Sequence, residues 1–456
     1  MSILKRFFQN RPAILFILIL AFILRLSLFI GIILKNPDGI YVYDSYGYWQ
    51  IGYNIIHHFT FSQSYYLPLE PDYFRTPLYP LFIVLAESIG PEGFSIIVLQ
   101  LFLSVGTCYF TYRIAEEITE KKIIANIAAL IVAIDLPSIA LSNFVLTETL
   151  FSFMLGISFY FFIRFLKDTK TKHLLYVGLF SGLSILCRPI AFFIPFFFAC
   201  FIILKHKKLI RLLIKQIILL IGITFLTISP WLIRNNAVYG HYFLSVIREH
   251  NLLNYQAASV YAERFNYSLP KAQSILRWKT FREFKGNANK QPYEYAQLLE
   301  KESIKIIFEY PGIFAKQQLK GFIYFFLKPT RAYIEIQLGH WGKGYNTIPK
   351  DYPIFKYLFE HTSRLTIVLV FFQLFVLAVV YLSCIAGIMY LKKRTGVLYI
   401  LLLVLAIFIF ANFNLTLITE SRFRVPVWSL VATISACGIY SIREKICAKK
   451  KTADLF

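Results

Sequence analysis

The chain has 456 residues, of which 57% are hydrophobic and 16% charged, with a mean hydropathy of +0.59. Soluble domains carry roughly 25% charged residues, so this composition excludes an ordinary soluble globular protein. The net charge of +23 would suit nucleic acid, but in so apolar a chain basic loops between membrane spans account for it, which sets nucleic-acid binding aside.

Ten apolar segments are predicted as membrane helices, at 12–34, 92–115, 122–137, 146–166, 172–187, 189–204, 210–231, 365–391, 396–412 and 424–442. Most approach the length needed to cross a hydrocarbon layer roughly 30 Å thick. Lys5, Arg6 and Arg11 precede the first segment as in a signal peptide, but its length and the lack of a small-residue cleavage site predict a retained helix. Orientation follows from the basic loops. With the N-terminus in the cytoplasm, the inner positions hold Lys121 and Lys122, then Lys167, Lys170 and Lys172, then Lys205, Lys207, Lys208, Arg211 and Lys215, then Lys392, Lys393 and Arg394. The tail, with Lys445 and Lys449 to Lys451, also falls inside.

Two outer regions are long. The first, 35–91, carries Tyr41, Tyr43, Tyr46, Tyr48 and Trp49, then a short apolar piece from Pro77 to Leu85 that predicts an interfacial or re-entrant helix. The second, 232–364, is more polar; its stretch Ile304–Leu327 predicts a membrane-associated helix broken at Pro311-Gly312. The expected organisation is an N-terminal transmembrane module 1–231, an extracytoplasmic region 232–364 and C-terminal transmembrane helices with a basic tail 365–456. There is no internal repeat and no Gly-rich phosphate loop. The six cysteines include no C-x-x-C pair and none lies in the long outer regions, so neither a disulfide framework nor a cysteine metal site is expected.

Threading the chain through a bilayer brings Asp44, Glu148, Arg188, Arg234, Glu420, Arg422 and Arg424 to one level at its outer side, with Arg75 beside them. Charges near hydrocarbon are costly and mark function. Asp44, among tyrosines in Y-V-Y-D-S-Y-G-Y-W, reads either as a general base or as the N-terminal cap of a short helix. Glu148 opens a helix, where an acid also complements the helix dipole. Arg188, followed by Pro189 between two tightly joined helices, reads as a phosphate ligand or as a snorkelling side chain. Arg234 beside Trp231 reads more as an interfacial anchor. In E-S-R-F-R-V-P, Glu420 and Arg424 have the spacing of a helical salt bridge, while Arg422 and Arg424 would also clamp a phosphate. His57, His58, His241, His250 and His340 lack convincing metal-ligand spacing.

Six pieces, in order, carry a resemblance: D-S-Y-G-Y-W, R-T-P-L-Y-P-L-F, L-T-E-T-L-F-S-F, G-L-F-S-G-L-S-I-L-C-R-P, P-W-L-I-R-N and E-S-R-F-R-V-P. Together they resemble the membrane glycosyltransferases of GT-C fold, in the group of bacterial proteins similar to protein O-mannosyltransferases and to the lipid A aminoarabinose transferase. The resemblance implies an all-α polytopic enzyme of the bacterial cytoplasmic membrane, acting on the extracytoplasmic face with both termini cytoplasmic. It implies a polyprenyl-phosphate-sugar donor, a glycan, lipid or protein acceptor, and an inverting displacement. Asp44 matches the catalytic aspartate and Glu148 a second acid; Arg75, Arg188, Arg422 and Arg424 match donor-phosphate positions, with Tyr46, Arg234 and Glu420 as further cleft residues. The first loop departs from the family's frequent pair of adjacent acids, since Ser45 follows Asp44. No cofactor is required, although some relatives bind a divalent metal. The competing readings are a lipid-linked sugar flippase, which should place charges at mid-span as Arg25 does, and a diphosphate-dependent sugar-polymer ligase or polymerase.

Overall fold

The computed structural model describes residues 12–90, 93–205, 210–339, 363–413 and 420–453, and the regular elements among them are helices. Six helices are long and apolar enough to cross a membrane: α1 (Pro12–Lys35), α4 (Phe94–Thr119), α7 (Glu148–Asp168), α10 (Ile210–Tyr239), α17 (Arg364–Arg394) and the segment Ser421–Ala448, whose α-helical part is α19 (Val425–Ala453). The other four predicted segments form shorter apolar helices: α5 (Lys122–Ala133), α8 (Thr171–Cys187), α9 (Ile194–Lys205, preceded by a 3₁₀ turn Pro189–Phe193) and α18 (Val397–Phe413).

α7 and the 421–448 helix form the centre of the bundle, each 78% buried over its most apolar window, while α10 and α17 lie at the rim at 22%. The rim helices are apolar all round for a reason: Phe225, Leu226, Phe375 and Leu382 point away from protein, where lipid is the solvent. α1 shows the same division along one helix. Ile14, Ile17, Ala21, Arg25, Phe29 and Ile32 form an inward stripe at steps of three and four, and Phe16, Ile19, Ile23 and Ile30 stay exposed.

α5 rises only about 18 Å, at 1.5 Å per residue. It stops because Asp135 caps the next short helix, α6 (Leu136–Leu141), accepting from the Ser138 amide at 3.0 Å. The last carbonyls of α5 are met by Arg25, whose guanidinium donates to Ala133 at 2.9 Å and to Val132 at 3.3 Å, and to Ser104 Oγ at 2.7 Å. The mid-span charge is thus a helix cap.

In the first loop region, α2 (Tyr43–His58) leads to α3 (Leu78–Glu87). α3 is about 15 Å long, too short to span. It buries Tyr79, Pro80, Ile83 and Ala86 against α2 and α4, and Trp49 Nε1 ties it to α2 through Glu87 at 3.0 Å. After α10, which runs through Pro230 to Tyr239, come α11 (Ile247–Asn251), a π-helical turn at Leu252–Ala257, α12 (Ala258–Phe265), α13 (Leu269–Glu283), α14 (Pro292–Glu309), α15 (Pro311–Leu327) and α16 (Arg331–Gln337). This helical region has a small core of its own around Leu253, Val260, Leu276, Leu299 and Ile306. The predicted break at Pro311 separates α14 from α15.

One end of the bundle is closed by a charge cluster: Glu117 on α4 receives Arg113 at 3.5 Å and both Arg164 and Lys167 of α7 at 3.7 Å. α17 and α19 cross so closely that a Cβ on Gly387 would lie 1.9 Å from the Ile434 carbonyl, and one on Gly438 1.8 Å from the Ser383 carbonyl. Small residues permit such backbone approach between membrane helices. Gly438→Leu is therefore expected to lower the melting temperature and the folded yield in detergent; a wild-type melting curve would sink this account of the crossing.

Candidate active site

The bundle end opposite the Glu117 cluster gathers charges from five separate stretches of chain. α2 begins at Tyr43, with Ser45 Oγ accepting the Val42 amide at 3.0 Å, so Asp44 stands in a first turn. The next stretch, Pro71–Pro77, is a turn built by Asp72, whose Oδ1 accepts the amides of Phe74 at 3.0 Å and Arg75 at 2.7 Å, the usual Asx geometry. That turn delivers Arg75 to Asp44 at 3.1 Å, with its other arm on Tyr48 Oη, also at 3.1 Å. The Arg75 guanidinium lies over the Tyr48 ring, 4.3 Å from its centroid.

Glu148 opens α7 and is 1% exposed. Arg188, the last residue before Pro189, meets it at 2.8 Å. Arg422, in a 3₁₀ turn at Ser421–Arg424, links the two halves: it lies 3.1 Å from Asp44 Oδ2, 4.0 Å from Glu148 and 3.7 Å from Glu420. Glu420 also accepts the hydroxyl of Tyr333 on α16. Three guanidiniums and three carboxylates thus form one chain of contacts, Arg75–Asp44–Arg422–Glu148–Arg188, with Glu420 as a branch.

The electrostatics follow from this arrangement. Burial alone would raise the Asp44 carboxyl, but the charges of Arg422 and Arg75 and the hydrogen bonds they donate outweigh it and hold it at about 2. An ordinary aspartate titrates at about 3.9. The stabilising contribution of Asp44 is therefore complete above about pH 4 and is lost as pH falls from there towards 2. Thermal unfolding followed from pH 7 to pH 4 should show no step attributable to this group.

Other predicted residues lie elsewhere. Arg424 turns away from the network: its Nη1 donates to the carbonyls of Phe326 at 3.2 Å and Lys328 at 2.8 Å. The expected Glu420–Arg424 salt bridge does not form, because 421–424 winds at three residues per turn and the i,i+4 register of an α-helix is lost. Arg234 packs 4.8 Å from the Trp231 ring centroid and donates to the Asp72 carbonyl at 2.7 Å, so it braces the Arg75 turn from behind. Tyr46 stacks on Tyr41 at 5.7 Å and is half exposed. His340 lies outside the described residues; among those described, no group of three or more His, Cys, Asp or Glu is placed to hold a metal. The cluster's own carboxylates do not fit a divalent ion as arranged, since both oxygens of Asp44 and Oε1 of Glu148 face guanidiniums.

Three residues of the site escaped the sequence reading. Tyr48 had a signal, its i+4 spacing from Asp44 on one helix face. Asp72 had one too, as an Asx turn two to three residues ahead of Arg75. Tyr333 had none, since only the tertiary fold brings α16 to Glu420. Asp72→Ala should free the turn that aims Arg75. It is expected to weaken binding of an anionic ligand at the cluster while the melting temperature moves little; unchanged affinity would remove the positioning role.

Residues 74–233 match the family model described as dolichyl-phosphate-mannose-protein mannosyltransferase. No curated protein matches the chain. Among solved structures, the archaeal oligosaccharyltransferase AglB from Archaeoglobus fulgidus, in complex with an inhibitory peptide and a dolichol-phosphate, aligns over 98% of this chain and 52% of its own, at 17% identity and a TM-score of 0.53. The Archaeoglobus fulgidus oligosaccharyltransferase in complex with Zn and sulfate aligns over 96% and 50%, at 15% identity and a TM-score of 0.52. ArnT from Cupriavidus metallidurans bound to undecaprenyl phosphate aligns over 94% and 77%, at 9% identity and a TM-score of 0.42. The chain spans about half the length of the two oligosaccharyltransferase structures. It is a multi-pass membrane protein with the GT-C glycosyltransferase fold.

Proposed function

We propose that the protein is an integral-membrane glycosyltransferase that moves a sugar from a polyprenyl-phosphate carrier to an acceptor hydroxyl or similar nucleophile, inverting the anomeric centre, on the extracytoplasmic face. The observation that carries this reading is the Asp44 carboxylate held between Arg75 and Arg422 at 3.1 Å each, joined to Glu148 and Arg188 at one end of a membrane bundle. A carboxylate base beside several guanidiniums is what displacement at a sugar phosphate requires.

In the reaction, Asp44 takes the proton of the acceptor hydroxyl as its oxygen bonds to the anomeric carbon. The bond from that carbon to the phosphate oxygen breaks, and its electron pair stays on the phosphate. The leaving group gains negative charge, which Arg422, Arg188 and Arg75 neutralise; guanidinium pairs with phosphate in bidentate geometry. Arg424 is left out of this clamp because it is committed to backbone carbonyls.

The resting cluster is balanced, three cations against three anions, and Asp44 in it is fully ionised but a weak base. A donor phosphate that draws Arg75 and Arg422 onto itself removes the charges that depress Asp44. The base then strengthens where and when the leaving group is bound. This predicts ordered action, donor before acceptor, testable by product-inhibition kinetics; random-order kinetics would count against the exchange of partners.

The test of the function is transfer in membranes loaded with radiolabelled polyprenyl-phosphate sugars, hexose and pentose, beside polyprenyl-diphosphate donors. Label moving to an acceptor from a monophosphate donor supports the reading; transfer only from diphosphate donors would move it to a ligase or polymerase. A flippase draws no support from Arg25, which caps α5.

A further inference from the structure

Near the ion cluster, the helical region after α10 contains an open cavity of about 430 Å³, within the usual range for small-ligand sites. His250, Asn254, Arg277, Trp278, Phe281 and Tyr295 line it. Its chemistry is mixed in a particular way. Trp278 and Phe281 stand three apart on α13 and are 62% and 65% exposed, so most of each ring faces out of the fold. The Arg282 guanidinium lies 4.4 Å from the Trp278 ring centroid. Asn254 Oδ1 is buried without a hydrogen-bond partner, while its Nδ2 is committed to the His250 carbonyl at 2.8 Å. An orphaned buried acceptor costs about 1–3 kcal/mol, so it points to a missing donor. Asn254 sits in the π-helical turn Leu252–Ala257, a feature frequent at functional sites. Burial drives the His250 imidazole down to about 4, so it is neutral at physiological pH and offers one donor and one acceptor.

The cavity is also wired to the ion cluster. The ring of His250 packs edge-on against Phe74 at 5.2 Å, Ser245 Oγ donates to the Phe74 carbonyl at 2.6 Å, and the Val246 amide donates to the Tyr73 carbonyl at 3.4 Å. Phe74 is the residue before Arg75. One short segment therefore touches both: Arg75 enters the ion cluster, and Phe74 packs on His250, a lining residue of the cavity.

We infer that this cavity is a sugar-binding subsite, taking a neutral pyranose ring of a glycan, with its apolar C–H face on Trp278 and Phe281 and its hydroxyls on Asn254, His250 and Arg277. An exposed aromatic platform with a few convergent hydrogen-bonding groups suits a ring that is apolar on its faces and polar at its rim. A free phosphate would favour paired cations, and the lining holds one, Arg277, while Arg282 lies over the Trp278 ring. That the bound sugar belongs to the acceptor rests on the glycosyltransferase reading; that the cavity binds sugar does not.

The experiment is saturation-transfer NMR and intrinsic fluorescence on the full-length protein in lipid nanodiscs, titrated with methyl glycosides of mannose, glucose and galactose and with their di- to tetrasaccharides. The expected result is saturation of ring C–H protons and a fluorescence change in the wild type, with affinity about tenfold weaker or worse in Trp278→Ala and in Asn254→Ala. Trp278 is exposed, so its loss should leave the melting curve unchanged; Asn254→Asp serves as the second, isosteric variant, and the same melt is run on each. Binding that is equal in all variants places the sugar elsewhere and overturns the assignment. So does a complete lack of response across the panel. Nanodiscs containing brominated phospholipid decide the remaining case: quenching that vanishes in Trp278→Ala would make this face a membrane anchor and overturn the sugar site. Because none of these readouts needs turnover, they stand apart from the transfer assay. If transfer is found, Trp278→Ala should raise the acceptor KM with little change in kcat.

Discussion

Asp44→Asn is expected to cut sugar transfer by about 10²- to 10⁴-fold, the range that a positioned general base supplies. The amide keeps the shape of the carboxyl and one acceptor oxygen for a guanidinium, but it takes no proton at the reacting hydroxyl. It also unbalances the cluster, leaving three cations against Glu148 and Glu420. Donor affinity should therefore hold or rise as the turnover rate falls, since Arg75 and Arg422 no longer have to be drawn away from a carboxylate. The separation of the two effects is the useful part. Initial rates over a donor titration give kcat and KM; a variant whose kcat matches wild type in a folded protein removes Asp44 as the base, and a variant with the loss entirely in donor KM makes it a binding residue.

Arg188→Ala should be the most destabilising single change in the site, by about 3–5 kcal/mol, the usual cost of stripping a buried carboxylate of its partner. Glu148 is 2% exposed at its side chain and has Arg188 at 2.8 Å, with Arg422 more distant at 4.0 Å. Glu148→Gln in the same chain removes the orphaned charge, so the double variant should recover most of the melting temperature. Activity should not recover with it, because the phosphate clamp still lacks one arm. Thermal unfolding and transfer, measured on both single variants and the double, complete the cycle. Recovery of transfer alongside stability would mean that the pair only holds α7 to α8.

Much of this was legible along the chain. Apolar length and basic loops mark the membrane helices because hydrocarbon leaves the backbone no other partner and makes stray charge costly. The same economy made Asp44, Glu148, Arg188 and Arg422 visible as outliers at helix ends, and Pro189 and Pro311 marked turns because proline has no amide to donate. The order of six weak motifs carried the fold resemblance, which the structural likeness to AglB supports at 17% identity.

What the sequence could not decide was direction. Arg422 and Arg424 stand on either side of Phe423, yet one faces Asp44 and the other two backbone carbonyls. The difference is the 3₁₀ winding of four residues, which pack against α15 and α6. Arg25 reads as a mid-span charge along the chain, and the early end of α5 places its last carbonyls beside it. Tyr333 reaches Glu420 across 87 positions of sequence, and Phe74, held in the Asp72 turn, packs on His250, a residue far along the chain, with ring centroids 5.2 Å apart. Composition and local spacing depend on the solvent that each residue meets, and so can be read in order along the chain; pairing of charges depends on which helix ends meet, and only the folded bundle determines that.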